Sequence, residues 1–195
     1  MKRSKLRIIG LTGPIAAGKN EVCRILSRRA HIIDADQVGH KLLVPQSDLW
    51  KELVKTFGSR VLQQGGKVNR KKLGEIVFGN PRLLKKLNKI MHSRMKDEIV
   101  KESGKRKAES GKPIIINAAV LREIGLIPIV DEVWVVLADK KKRLNRLVKK
   151  GMSREKAERR IKAQKPEKDY LRIADKVIRN DSGKSSLRKL VLSLL

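Results

Sequence analysis

Gly13-Pro14-Ile15-Ala16-Ala17-Gly18-Lys19-Asn20 is the stretch that decides the fold. It stands between an apolar, β-branched run, Leu6-Arg7-Ile8-Ile9-Gly10-Leu11, and residues 19–29, whose Val22, Ile25 and Leu26 recur at helical spacing. Glycine, four residues, glycine and lysine, set between a strand and a helix, is the pattern of a phosphate-binding loop. Backbone amides of the loop and of the helix N-terminus converge on a phosphate, and the lysine reaches the outer phosphates. The eighth position departs from that pattern: a hydroxyl there would ligate Mg²⁺, and Asn20 offers an amide oxygen instead. An ordinary glycine turn with an exposed lysine is the competing reading, and the flanking strand and helix weigh against it.

Working outward, His31-Ile32-Ile33-Asp34 reads as a second strand, 113–117 as a third, 133–138 as a fourth and 176–180 as a fifth, before an amphipathic closing helix at 185–195. Near-continuous apolar strands separated by helices predict an α/β fold, a parallel five-stranded sheet with helices on both faces. Residues 47–111 contain helical spacing, at 48–57, 70–78 and 81–103, and no good strand; Gly65-Gly66 and Gly79-Asn80-Pro81 punctuate them. From 140 to 172, fifteen Lys and Arg face four Asp and Glu.

The chain has 195 residues, one domain's worth, with 40% hydrophobic residues and a formal charge of +28. Its apolar runs are far shorter than the roughly 20 residues that cross a bilayer, so no membrane partner is expected. The single cysteine, Cys23, excludes a disulfide framework and suits a reducing cytoplasm; it falls on the buried side of the first helix and reads as a small core residue. The charge attracts any polyanion, RNA and DNA included. Five aromatic residues, Trp50, Phe57, Phe78, Trp134 and Tyr170, are too few and scattered for base-stacking platforms, so nucleic-acid binding is possible but not favoured.

The second strand ends in Asp34-Ala35-Asp36. In an open parallel sheet ligands bind beyond the carboxyl ends of the strands, so these carboxylates should share a crevice with Lys19. Spaced by one residue on an extended strand end, they should point the same way, as base and metal support; a helix N-cap is the alternative use for either. His40, with no second histidine nearby in sequence, reads as an ordinary surface or core residue.

Taken together, Gly10-Leu11-Thr12-Gly13 through Gly18-Lys19 and Ile33-Asp34-Ala35-Asp36 resemble the dephospho-CoA kinase family, whose usual pattern reads GLTGGIGSGKS and later IDAD. Phe57-Gly58, Val68-Asn69-Arg70 with Leu73, Val77-Phe78, Leu87 to His92, the segment from Ser153 to Gln164, and Ala174-Asp175-Lys176-Val177-Ile178-Arg179-Asn180 follow the family in collinear order. The resemblance implies a three-layer P-loop kinase fold. Its core would be 1–46, 112–139 and 173–195, its helical substrate-binding insertion 47–111 and its lid 140–172, all in one domain spanning 1–195. It implies ATP-dependent phosphorylation of the ribose 3′-hydroxyl of dephospho-CoA, the last step of coenzyme A synthesis, with Mg²⁺ and with dephospho-CoA and ATP as small-molecule substrates.

By position the resemblance makes Asp36 the catalytic base and Asp34 a support for metal or substrate. Lys19 and the loop from Gly13 through Pro14, Ile15, Ala16, Ala17, Gly18 and Asn20 to Glu21 would hold ATP. Arg146 and Arg160 match lid arginines that close on phosphates, Asn180 a residue near the adenine, and His92 a substrate contact; Asn20 and Asp34 would hold the metal. Three departures stand out. Asn20 and Glu21 replace Ser and Thr, Ala16 and Ala17 replace a Gly-Ser pair, and Pro14 removes an amide donor. His92-Ser93 stands for His-Pro, and Asn117 to Leu121 replaces the usual PLL segment. A degenerate loop that binds nucleotide, or RNA through the basic 140–172 segment, without turnover is the alternative reading.

Overall fold

The computed structural model describes residues 6–109 and 111–195; residues 1–5 of the expected core and Ser110 of the expected insertion lie outside the described residues. Five strands, β1 (Ile8–Thr12), β2 (His31–Asp34), β3 (Ile114–Asn117), β4 (Glu132–Leu137) and β5 (Lys176–Arg179), form one sheet in the order β2-β3-β1-β4-β5. Every pairing is parallel. Period-two alternation divides their side chains between two cores. Ile114, Ile116, Val133, Val135 and Leu137 face one layer with Val38, Met95, Ile99 and Leu126. Ile9, Leu11, Ile115, Trp134, Val136 and Ile178 face the other, against Val22, Ile25, Leu26, Leu187 and Val191.

The strand runs expected from sequence hold to within a residue or two. β1 starts at Ile8 rather than Leu6 because pairing begins opposite Ile114, while Arg7 turns aside to Glu132 and the Leu195 carbonyl. Register then aligns the functional ends: Asn117 lies opposite both Leu11 and Asp34.

Helix α1 (Lys19–Leu26) stops three residues short of the expected end, because the Arg29 and Ala30 amides turn back onto the Leu26 carbonyl to enter β2. Helix α2 (Ala35–Lys41) follows β2 directly. Then come α3 (Asp48–Phe57), capped by Ser47 and ended at Gly58, and α4 (Arg70–Val77), capped by Asn69. Helix α5 (Pro81–Glu109) begins with proline at its first position and an Asn80 side chain on the Leu83 amide. It runs six residues past the expected Ser103, through Gly104, where ion pairs Arg106–Glu102, Lys105–Glu109 and Arg106–Glu109 support exposed turns. Between α3 and α4 a single antiparallel bridge, Leu62 to Val68, closes the Gly65-Gly66 turn that the sequence left without strand.

Helices α3, α4 and the first half of α5 share a core of their own: Leu49, Leu53, Phe57, Val61, Leu73, Val77 and Ile90. Beyond β4, α6 (Lys140–Val148), α7 (Arg154–Lys162) and α8 (Glu167–Leu171) precede β5, and α9 (Lys184–Ser193) closes the chain. Leu147, Ala157 and Ile161 pack α6 and α7 together and onto Ile15 and Ala16 of the phosphate loop. Among the described residues no helix is long and apolar enough to cross a membrane.

Leu53 is fully buried at the centre of the α3–α5 core. Leu53→Ala should lower unfolding free energy by about 2–5 kcal/mol in urea titrations, the cost of lost burial plus an unfilled cavity.

Candidate active site at the carboxyl edge of the sheet

The phosphate loop turns from β1 into α1 through two glycines that no other residue could replace. A Cβ on Gly13, at φ +140°, would lie 2.1 Å from the Val136 carbonyl oxygen, and one on Gly18, at φ +115°, 2.1 Å from the Asn180 amide nitrogen. Ala16 is also left-handed, at φ 57°, and so carries the strain that its methyl group adds there. Lys19 folds back on the loop, its Nζ donating to the carbonyls of Gly13 at 2.7 Å and Pro14 at 3.3 Å. Burial pushes its pKa down to about 8, against the opposing pull of Asp36. The first amides of α1, at Lys19 and Asn20, have no acceptor within the helix and are the donors left for an anion.

Two loop amides are already spent: Ile15 donates to Gln164 Oε1 at 2.9 Å and Ala17 to the Pro14 carbonyl at 3.2 Å. The loop's share in phosphate binding is therefore narrower than the Gly13–Glu21 span read from sequence. Its carbonyls are held from outside. Arg143 donates to Ile15 at 2.9 Å, Arg146 to Ala16 at 3.0 Å and Ala17 at 3.1 Å, and the buried Asn180 amide to Ala17 at 2.8 Å. Arg143 also bonds Gln164 at 2.6 Å, closing a three-way clasp on Ile15.

Asp34 and Asp36 do not share an extended strand end. Asp34 closes β2 and caps α2, accepting from the Gln37 amide at 3.1 Å, whereas Asp36 lies in the first turn of α2. The second oxygen of Asp34 accepts from Asn117 Nδ2 at 2.8 Å, and the same amide reaches Asn20 Oδ1 at 3.4 Å. Asn117 Oδ1 is buried with no hydrogen-bond partner.

A cleft of about 800 Å³ opens along the loop, lined by Lys19, Asn20, Glu21, Asp36, Asn117, Arg146 and Asn180. Against it lies a smaller, mostly apolar recess of about 290 Å³ between α2, α4 and α5, lined by Leu43, Leu73, Leu87, Met91 and Met95, with Arg70. Asp36 lines both cavities. His92 and Arg160 line neither: His92 Nδ1 sits 3.1 Å from the Glu123 carbonyl, with burial holding the ring below the ordinary imidazole range, and Arg160 is exposed on α7. Sequence reading missed Arg143, Gln164 and Asn117. Arg143 and Leu147 stand four apart on one face of α6, a spacing that could have placed Arg143 against the loop.

The donors available to a cation beside Lys19 are all oxygens, from Asn20, Asp34 and Asp36, which suits a hard ion such as Mg²⁺. Among the described residues no three His, Cys, Asp or Glu cluster as a metal site, so phosphate oxygens and water would complete the shell.

Lys19 gives the loop a pH signature. Its folded pKa of about 8 lies below the ordinary 10.5, so the unfolded chain binds more protons between those values and stability rises with pH across that window. The cost of burying the cation, about 3 kcal/mol, is fully present below pH 8. Lys19→Met should flatten the rise in melting temperature between pH 8 and 10.5, and calorimetry near pH 9 should show proton uptake when the wild-type chain binds a nucleotide, since the phosphates restore the ammonium.

The dephospho-CoA kinase family model matches residues 7–186. Dephospho-CoA kinases of Carboxydothermus hydrogenoformans and Dehalococcoides mccartyi are 38% and 36% identical, covering 97% and 95% of this chain and 93% and 94% of their own. Among solved structures, a Thermus thermophilus protein superposes with TM-score 0.80 at 27% identity, covering 98% of this chain and 99% of its own. The dephospho-CoA kinase of Campylobacter jejuni gives 0.65 at 26%, covering 96% and 95%. Shikimate kinase of Bacteroides thetaiotaomicron, at 12% identity and TM-score 0.55, shares the fold alone. With a glycine-framed phosphate loop, a carboxylate poised between two cavities and these matches along nearly its whole length, the chain belongs to the dephospho-CoA kinase family.

Proposed function

We propose that this kinase moves the γ-phosphoryl group of ATP to the ribose 3′-hydroxyl of dephospho-CoA, with Asp36 as general base. The observation that carries the assignment is the position of Asp36, on the wall common to the phosphate-loop cleft and the apolar recess. ATP takes the cleft. The acceptor takes the recess, the methyl and methylene groups of its long arm against the leucines and methionines, and Arg70 at its rim faces the acceptor's diphosphate. Residues 47–111 thus serve as the substrate-binding insertion and 140–172 as the lid. Asp36 accepts the hydroxyl proton as the ribose oxygen attacks the γ-phosphorus and ADP leaves.

Lys19 lets go of the Gly13 and Pro14 carbonyls and turns its ammonium to the β- and γ-phosphates, joined by the first amides of α1. Arg146 keeps the loop in shape and lends charge to the cleft, while Asn180 fixes Gly18 and the edge nearest the adenine. Arg160 acts only if α7 moves inward, and His92 acts through Glu123 rather than on the acceptor. Asn20 and Asp34 are the residues that would hold Mg²⁺, which when bound neutralises charge on the phosphates. The reaction belongs to the cytoplasm, where the lone thiol of Cys23 stays reduced. A loop that binds nucleotide without turnover has less support, because the family match extends through both cavities.

Two experiments test this reading. Incubation with ATP, Mg²⁺ and dephospho-CoA should yield coenzyme A by mass spectrometry; Asp36→Asn should cut kcat by about 10²–10⁴ with little change in ATP affinity, and near wild-type turnover would reduce Asp36 to a surface carboxylate. Asn20→Ser combined with Glu21→Thr should lower the Mg²⁺ concentration for half-maximal activity and tighten Mn²⁺ binding, read by electron paramagnetic resonance, to the complex with a non-hydrolysable ATP analogue. Equal metal affinity in both proteins would assign the ion to Asp34 and water.

A further inference from the structure

Away from the cleft, the C-terminal end of α1 and the outer side of α9 enclose a hollow of about 490 Å³ lined by Arg24, Arg28, Arg29 and Arg188. Among the described residues no carboxylate lines it, and of the four arginines only Arg24 has an acidic ion-pair partner, Glu21. The contrast is with the hollow of about 840 Å³ between α6 and α7, where Glu155 and Glu158 stand among Lys140, Lys141, Arg159 and Lys162 and offset part of their charge. The α1–α9 hollow is also rigidly backed: Val22, Ile25 and Leu26 pack on Leu187 and Val191 beneath it. Arg28, Arg29 and Arg188, like charges brought to one hollow, repel one another, and an anion between them relieves that repulsion.

The chemistry of the anion follows from the side chains. Lysines outnumber arginines 29 to 19 in this chain, yet all four cations here are arginines, whose planar forks match phosphate oxygens in pairs. Arg24, paired with Glu21, also lines the phosphate-loop cleft together with Lys184, so it borders both the cleft and the hollow. That shape suits a chain of phosphates more than a single ion. None of the five aromatic residues lines the hollow, and Trp134 and Tyr170 are buried in the core, so no base can stack there.

We propose that the Arg24-Arg28-Arg29-Arg188 hollow is a second anion site, which takes the phosphodiester backbone of a nucleic-acid strand without reading its bases. It is independent of phosphoryl transfer. The test is fluorescence anisotropy of a labelled mixed-sequence single-stranded RNA titrated with the full chain, the cleft kept saturated with a non-hydrolysable ATP analogue and Mg²⁺. Arg28→Gln, Arg29→Gln and Arg188→Gln together should weaken binding about tenfold or more and reduce the slope of log affinity against log salt by about 2, three charges at roughly 0.7 each. Removing the same charge from the far end of α5, by Lys101→Gln, Lys105→Gln and Lys107→Gln, should weaken it less than about threefold, with coenzyme A formation unchanged in both.

Equal losses in the two triple variants would overturn the proposal in favour of diffuse attraction to a basic surface. So would displacement of the RNA by the ATP analogue, or no binding by the wild-type chain at about 50 mM salt. Should the triple variant fail to fold, Arg188→Gln alone decides: a salt slope lower by about 0.7 supports the site and an unchanged slope overturns it.

Discussion

Five consecutive carbonyls, those of residues 13 to 17, are each held by a side-chain donor: Lys19 on Gly13 and Pro14, Arg143 on Ile15, Arg146 on Ala16 and Ala17, with Asn180 also on Ala17. The catalytic geometry depends on this. A peptide whose carbonyl is fixed outward must present its other face inward, and the helix-start amides that follow can then converge on one phosphate. Without an anion the arrangement is costly. Lys19 is buried as a cation among carbonyl dipoles, and Ala16 keeps a left-handed backbone that glycine would adopt freely. Both costs are local, and phosphate binding removes the first of them.

Because those donors come from distant parts of the chain, the loop ties the molecule together. Arg143 and Arg146 come from α6 and Asn180 from just past β5, while Gln164, just past α7, accepts from the Ile15 amide and from Arg143. Ile15 adds an apolar tie, its side chain packing with Leu144, Leu147 and Ile161. Residues 140–172 are thus coupled to the phosphate loop before any nucleotide arrives. A nucleotide that draws Lys19 inward changes one side of the loop while the clasp of Arg143 and Gln164 holds the other. The same packing explains why α6 is rich in arginine and lysine yet contributes its Arg143 and Arg146 to backbone rather than to solvent.

What the sequence made legible follows from what each kind of information needs. Buried parallel strands are short β-branched runs, so all five could be read to within a residue or two. Gly13 and Gly18 were legible from the loop spacing, and both hold a positive φ, with a Cβ meeting the Val136 carbonyl at Gly13 and the Asn180 side chain at Gly18. Asp36 was legible as a candidate, but not its placement: a strand end and the first turn of the next helix look alike when one residue separates them. Arg143, Gln164 and Asn117 were hidden for a different reason. Their partners are backbone carbonyls, an amide or another amide side chain a hundred or so residues away, and such pairings exist only once the sheet order β2-β3-β1-β4-β5 has set the register. Arg160 stands exposed on α7, because the face of that helix carrying the apolar stripe, Ala157 and Ile161, is the one that meets the loop.

The register also explains how an amide can stand at the eighth position of the loop. Asn117 is opposite Asp34, and the short bond to Asp34 Oδ2, 2.8 Å, fixes which end of its amide is which; turned over, its oxygen would face a carboxylate. Held in that sense, Asn117 points an N–H toward Asn20 Oδ1 at 3.4 Å and leaves its own oxygen buried without a partner. Asn20 therefore has an oxygen oriented by the sheet, but one already sharing its electron density with a donor, and it carries no charge. Asp34, likewise, gives one oxygen to the cap of α2 and the other to Asn117. A cation held there would gain little from either residue and would come largely with the phosphates it accompanies. In a chain with formal charge +28 the phosphates need less help from a metal to approach, which is the setting in which a neutral amide at this position is least costly.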